Sequence, residues 1–539
     1  MIKKKLICTV ALLLVISLLL LGCSKGTSQN SSTPEPQATL GPPDKINIFY
    51  SAGGQTIPDK FSYKDNDYFK EICKIANVEP VEVTCPEYAD TSVKFNLMMA
   101  SGNIPDVVHY NNLAEISQYG KDGAFMEMTD IIKNSAPLSK LYTKEMIEAM
   151  KADDGKVYTI RSLPTEDGWQ MTARLDLLNE IGYTSKLPST LDEWVDALRK
   201  LKAKYPDSIP YTTVGVDNYH HFIFKPFGCE SGTGWQYTGG KIINVFENPA
   251  IKDAILFGKK LLAEGLLDKE FATNKAADYL NKRITQNTLI VTMNLGSIGA
   301  NIEQLIVNKV DKAVIIPVKW PFVNESSIDP YSKFVPATVV GNQCISINSK
   351  TKQKAASIRL IETLFSDKVK DMFTYGREGI EYTTVNGARV YDAAKTVETA
   401  WRNLYGMMFS YNPLEKTKFK IDMAMQLTKG DTAQSYKNNF YTNFDEVYKQ
   451  DYNKLGYAPV LMVSGTTGFT TLMPLSTEAN NLTKEAIALQ KSLLLKALMS
   501  EITIDDFMKQ AGDLVKKYQS VTDELNKKLP DIKAKFNIK

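Results

Sequence analysis

Apolar positions recur at two periods in the first part of the chain, and together they predict alternating strands and helices. Lys45-Ile46-Asn47-Ile48-Phe49-Tyr50 alternates as a strand does, and Asp67 to Ala76 repeats its apolar residues at helical spacing. Val81-Glu82-Val83-Thr84-Cys85 predicts a second strand and Thr91 to Ala100 a second helix. Gly102 suits the left-handed residue that stops a helix, and Pro105 blocks its resumption. Val107 and Val108 then read as a short strand covered on both faces. The βαβαβ order argues for right-handed crossovers in a parallel sheet flanked by helices. Ligands of open α/β sheets lie beyond the carboxyl ends of strands, where Tyr110, Asn111 and Asn112 fall.

The pattern continues with a hairpin-turn signal at Asp154-Gly155-Lys156-Val157-Tyr158 and a strand running into a helix from Met171 to Gly182. Thr190 with Glu193 forms a capping-box signature, and Trp194 follows at helical spacing with Leu191, Val195 and Leu198 as core. Asn248-Pro249 opens an amphipathic helix that closes at Glu264-Gly265. Leu289–Met293, Ala313–Val318, Thr338–Val340 and Ile345–Ile347 predict further strands, and Lys354–Phe365 a helix. From Asp371 the chain reads as mostly helical.

Composition adds a compartment. The 43% apolar and 10% aromatic content is globular, and 539 residues suffice for two or three domains. The formal charge of +3 comes from Lys3, Lys4 and Lys5 alone, so the body is neutral and offers no footprint for nucleic acid. Those lysines precede an apolar run from Leu6 to Leu21, short for a spanning helix, followed by Leu20-Leu21-Gly22-Cys23. Residues 1–22 are therefore expected to be a signal peptide. The motif resembles a bacterial lipobox, which implies a lipid-anchored Cys23 at the extracellular face of the cell membrane. Residues 23–43, rich in Ser, Thr, Gln and Pro, form a flexible tether. Cys73, Cys85, Cys229 and Cys344 remain in the body; buried thiols are preferred, with a Cys73–Cys85 bridge left open.

In order and spacing, these signals resemble the extracellular solute-binding lipoproteins of ABC importers. The likeness is to family 1, which includes the maltose-binding proteins, and within it to the LplA-type branch of Gram-positive bacteria. The carrying residues are Cys23, Met99-Ala100-Ser101-Gly102-Asn103-Ile104-Pro105-Asp106, Asp154 to Tyr158, Arg174-Leu175-Asp176-Leu177-Leu178 to Gly182 and Pro188 to Trp194. Lys260 to Leu266, Arg377-Glu378-Gly379-Ile380-Glu381-Tyr382 and Ile504-Asp505-Asp506-Phe507 complete them. The resemblance implies a two-lobe periplasmic-binding-protein-like α/β fold, each lobe a mixed sheet flanked by helices, with a helix-rich C-terminal part. The lobes are expected to comprise residues 44–163 with 316–374, and 164–315 with 375–539. Crossings would fall near Arg161–Pro164, Ile316–Val318 and Phe373–Gly376. An oligosaccharide would be captured between the lobes by hinge closure and passed to permease subunits by a monomer without a cofactor. Members of this branch often carry a calcium loop after the Glu-Trp helix. Here Lys204-Tyr205-Pro206-Asp207-Ser208-Ile209-Pro210 has a single carboxylate, so no calcium or other metal is expected there.

Sugar recognition needs aromatic faces and planar polar side chains. Besides Tyr110, Asn111 and Asn112, the candidates are Glu166, Asp167, Trp169 and Gln170 just past the first crossing. His221, Trp235 between glycines, Asn294, Ser297 and Arg377 complete the set. Trp169 serves either as platform or as core, and Arg377 either pairs with an acid or reaches the ligand. Asp106 caps a turn. The alternatives are a secreted glycoside hydrolase or lyase, which needs a carboxylate pair across a cleft, and a sugar-sensing partner of a membrane receptor.

Overall fold

A computed structural model describes residues 41–51, 66–86, 90–163, 169–216, 221–229, 232–294, 310, 313–324, 326, 340–341, 343–392, 395 and 475–535. The signal peptide, Cys23 and most of the expected tether lie outside the described residues.

The alternation at the start gives β1 (Asp44–Tyr50), with Ile46 and Ile48 buried and Asn47 exposed. Helix α1 (Asp67–Ala76) starts where Asn66 Oδ1 accepts the Phe69 N–H at 3.1 Å, and it ends at left-handed Asn77. Strand β2 (Val78–Thr84) follows, then α2 (Thr91–Ser101), which Gly102 terminates at φ 71° as its position suggests. Strand β3 (Val107–Tyr110) is buried at all four residues and leads into α3 (Leu113–Lys121). Three short helices between Thr129 and Met150 precede β4 (Ile160–Arg161).

The next described strand is β5 (Trp169–Arg174), followed by α4 (Leu191–Lys204). The Thr190–Glu193 capping box is present in full, and Trp194 is wholly buried. Next are the hairpin β6 (Trp235–Thr238) and β7 (Lys241–Asn244), then α5 (Ile251–Ala263), α6 (Ala276–Thr285), β8 (Ile290–Asn294) and β9 (Ile315–Val318). Strand β10 (Cys344–Ile347), α7 (Lys354–Leu364) and α8 (Asp367–Tyr375) precede the exposed hairpin β11 (Tyr382–Val385) and β12 (Ala388–Tyr391). Helices α9 (Thr477–Leu498), α10 (Ile504–Lys517) and α11 (Gln519–Lys535) end the described chain.

The strands form two separate larger sheets. The first runs β2-β1-β3-β10-β4, with β1 parallel to β2 and β3, and β10 antiparallel to β3 and β4. One face packs Ile46, Ile48, Ile72, Val107 and Leu360; the other packs Phe49, Phe95, Val108, Tyr110 and Cys344. Cover on both faces is why β3 and β10 carry no exposed position. The second sheet runs β8-β5-β9, with both neighbours antiparallel to β5. Its core joins Met171, Trp194, Leu198, Ile290 and Ile316 to Leu494 of α9 and Phe507 of α10. A smaller cluster sets β6 and β7 against Tyr518, Val521 and Leu525.

One boundary differs from expectation. Ile315–Val318, expected to begin the return to the first lobe, is an edge strand of the second sheet, pairing Ile316 with Ala173. Val340 is the first described residue after it to join the first core. The run Ala313–Val318 is apolar throughout, so its pattern alone suits either sheet. Among the described residues no cysteine is in a disulfide; Cys73 sits in the first core, where burial pushes its thiol up to about 12.

Candidate functional site

The carboxyl ends of β1 and β3 converge with the start of β10 and the end of β4, because β10 runs antiparallel to both its neighbours. The residues gathered at this edge are Ser51, His109 to Asn112, Arg161, Ser162, Gln343 and Cys344. At one end of the second sheet, Trp169 opens β5 opposite Asn294, which closes β8. Only residues 162–168 separate the edges along the chain, so Arg161 and Trp169 lie within at most about 28 Å of each other.

His109 organises the first edge. Its Nδ1 accepts the Ser51 N–H at 3.2 Å, so in the neutral ring Nε2 carries the proton and donates to Gln343 Oε1 at 2.5 Å. Tyr50 stacks on the imidazole, with ring centroids 4.6 Å apart. Full burial outweighs the hydrogen bonds from Gln343 and Ser51 and lowers the pKa to about 4, so the ring is neutral at physiological pH.

Tyr110 was expected beyond the strand end as a candidate ligand contact. Instead its ring stacks on Phe95 of α2 at 3.9 Å and 7°, and its hydroxyl donates to Glu115 Oε2 at 2.9 Å. It is 5% exposed, and burial raises its pKa. Glu115 also accepts Lys484 Nζ of α9 at 3.1 Å, an ion pair joining the helices that cover the two cores. Asn112 caps α3, its Oδ1 accepting the Glu115 N–H at 3.2 Å. Asn111 is half-buried, and its Oδ1 is shut from solvent without a hydrogen-bond partner.

Two further candidates are engaged within the fold. Trp235 is not an exposed platform: it is 6% exposed, and its indole N–H donates to Thr522 Oγ1 at 2.8 Å beneath α11. The glycines beside it belong to a hairpin that α9 and α11 cover; Gly234 N–H donates to Gln490 Oε1 at 2.7 Å. Arg377 is engaged locally, with Nε and Nη2 on the two oxygens of Glu381 at 3.1 and 2.6 Å and its guanidinium 4.4 Å from the Tyr68 ring centroid. Glu166, Asp167 and Ser297 lie outside the described residues. For Trp169, Gln170, Asn294 and His221 the backbone is placed: the first three in the second sheet, His221 at the start of a short helix His221–Phe224.

The sequence pattern passed over His109, Gln343 and Arg161 as site residues. Each is a polar side chain in or beside a short apolar strand, and that mismatch was the available signal. Arg161 is 3% exposed; its Nε has no hydrogen-bond partner, and its carbonyl accepts the Tyr142 hydroxyl.

Among the described residues no group of three or more His, Cys, Asp or Glu side chains could hold a metal. An ammonium fills the comparable role at one place. Lys282 Nζ lies 3.0 Å from Asp268 Oδ2, 2.6 Å from Glu270 Oε2 and 2.7 Å from Asn274 Oδ1.

The model of the bacterial extracellular solute-binding protein family matches residues 52–371. The chain is 26% identical over 387 residues to the polygalacturonan/rhamnogalacturonan-binding protein YtcQ of Bacillus subtilis (strain 168), covering 69% of this chain and 73% of the relative. It is 27% identical over 301 residues to the lipoprotein LipO of the same organism, covering 53% of this chain and 56% of the relative. Among solved structures, the alginate-binding protein AlgQ2 without calcium ion superposes with a TM-score of 0.68 at 20% identity, covering 92% of this chain and all of that one. The two-lobed α/β architecture is therefore that of the periplasmic-binding-protein-like solute receptors, and the chain belongs to the bacterial extracellular solute-binding protein family.

Proposed function

We propose that this protein is the receptor of an ABC importer, held at the outer face of the cell membrane by a lipid on Cys23. It captures an oligosaccharide between two lobes, closes about the crossings and delivers the ligand to the permease subunits. The first lobe comprises residues 44–163 and the segment from Val340 to about Tyr375; the second comprises 164–318 and the C-terminal helices. The observation that carries this reading is the pair of sheets with separate cores, whose polar strand ends are linked by residues 162–168. Family membership and the saccharide named for YtcQ support the ligand class. Asn111, Asn112, Trp169, Gln170, Asn294 and the loop residues Glu166, Asp167 and Ser297 are the candidate contacts, with His221 beside them. Tyr110 acts as the support beneath Asn111 and Asn112.

A calorimetric screen of the purified protein against oligosaccharides tests the reading. The expected result is saturable binding of one saccharide class, a raised melting temperature and recovery of the ligand unchanged by chromatography. Steady release of cleavage products would replace the receptor with an enzyme.

A further inference from the structure

Arg161 ends β4 opposite Cys344, and Cys344 lies opposite Tyr110 on the next strand. Residues in register across neighbouring strands share a face, so Tyr110, Cys344 and Arg161 form one row at the edge beside the crossing. Arg161 is 3% exposed, its Nε is shut from solvent without a partner, and no carboxylate among the described residues pairs with it. The acids flanking Tyr110 in the chain are engaged elsewhere: Asp106 accepts from the Asn47 N–H and the Thr351 hydroxyl, and Glu115 from Tyr110 and Lys484. Burial alone pulls the Arg161 pKa down, with Cys344 and Tyr142 opposing.

A desolvated guanidinium lacking a counter-charge is unfavourable unless something compensates it. One residue past Tyr110, Asn111 Oδ1 is a buried acceptor lacking a donor. The two unmet groups are complementary to one ligand chemistry. A carboxylate answers the guanidinium with two charge-assisted hydrogen bonds, and a hydroxyl answers the amide oxygen. Sugars that carry both are uronates. We infer that the ligand is an acidic oligosaccharide, and that Arg161 reads a uronate carboxylate at the first-sheet edge with Asn111 accepting from a neighbouring hydroxyl. This rests on the receptor function proposed above and narrows its substrate class.

The test is calorimetric titration of the purified protein with trigalacturonate and trimannuronate, each beside its neutral counterpart, galactotriose or mannotriose. The expected result is that at least one uronate binds on the order of 100-fold tighter than its neutral counterpart. In Arg161→Met that preference should vanish while the ligand-free melting temperature does not fall, because the variant removes an uncompensated buried charge. Arg161→Lys, which keeps the charge but not the two-pronged donor, should lose about tenfold in uronate affinity. It carries the test should the Met variant not fold. Preference of the wild type for neutral sugars would overturn the inference and leave the receptor reading standing. Unchanged uronate affinity in the variants, or an equal loss for every sugar with a lowered ligand-free melting temperature, would also overturn it. Binding of no saccharide at all would overturn both.

Discussion

His109 offers a quantitative check on the first edge. Its folded pKa of about 4, against an ordinary 6.5, means that the unfolded chain takes up a proton over a window in which the folded protein does not. The contribution is fully present above 6.5, declines as pH falls through the window and is gone below about 4. At about 1.4 kcal/mol per pKa unit, the full swing is about 3 kcal/mol. The cause is burial: the ring is fully desolvated inside a stack with Tyr50, which disfavours its charged form. His109→Gln keeps a donor toward Gln343 and removes the titration. Urea unfolding of both proteins from pH 7 to pH 4 should show the wild type losing about 3 kcal/mol more than the variant, with carboxylate contributions cancelling in the difference. Parallel pH profiles, or an imidazole proton resonance of His109 with its midpoint near 6.5, would refute the buried neutral ring.

Other perturbations follow from named contacts. Lys282→Met leaves the Asp268 carboxylate, 3% exposed, without its cation. Thr212 and Asn274 still donate to it, so urea unfolding should show a loss of about 2–3 kcal/mol, lower than for a fully stripped pair. Burial raises the Asp268 pKa, but hydrogen bonds led by Asn274 and Thr212 hold it below its ordinary value. That contribution is therefore present above about pH 4 and lost as pH falls through the folded value. Trp235→Phe keeps the ring and deletes the N–H to Thr522; thermal and urea unfolding should show a loss of about 1–2 kcal/mol, with oligosaccharide affinity unchanged. Lys484→Ala removes an ion pair whose lysine is 65% exposed, so stability should change by less than about 1 kcal/mol and the effect should fade in high salt.

The local signals in the chain translated into structure closely. Helix α1 runs from Asp67 to Ala76 as its period predicts, Gly102 stops α2, and Thr190 with Glu193 caps α4, because each depends on residues a few positions apart. What pattern alone could not carry is contact between distant segments. Val107-Val108 announces a buried strand, but nothing local shows that β10, more than two hundred residues on, pairs with it antiparallel. Trp235 beside glycines reads as an exposed loop until Thr522 and Gln490 arrive from the C-terminal helices. Tyr110 reads as an open strand tip until Phe95 covers it. At the candidate site, the end of β3 was legible from the pattern, whereas Gln343 became a candidate only when β10 brought it to His109, and Arg161 only when β4 set it opposite Cys344.

The central claim is that two lobes close on a saccharide. Val93, exposed on α2 over the first core, and Leu256, exposed on α5 over the second, can each carry a spin label as Val93→Cys and Leu256→Cys in a background with Cys23 and Cys85 replaced by serine. A saturating oligosaccharide identified by calorimetry should shorten and narrow the measured distance distribution. A distribution that is the same with and without bound ligand would contradict capture by closure.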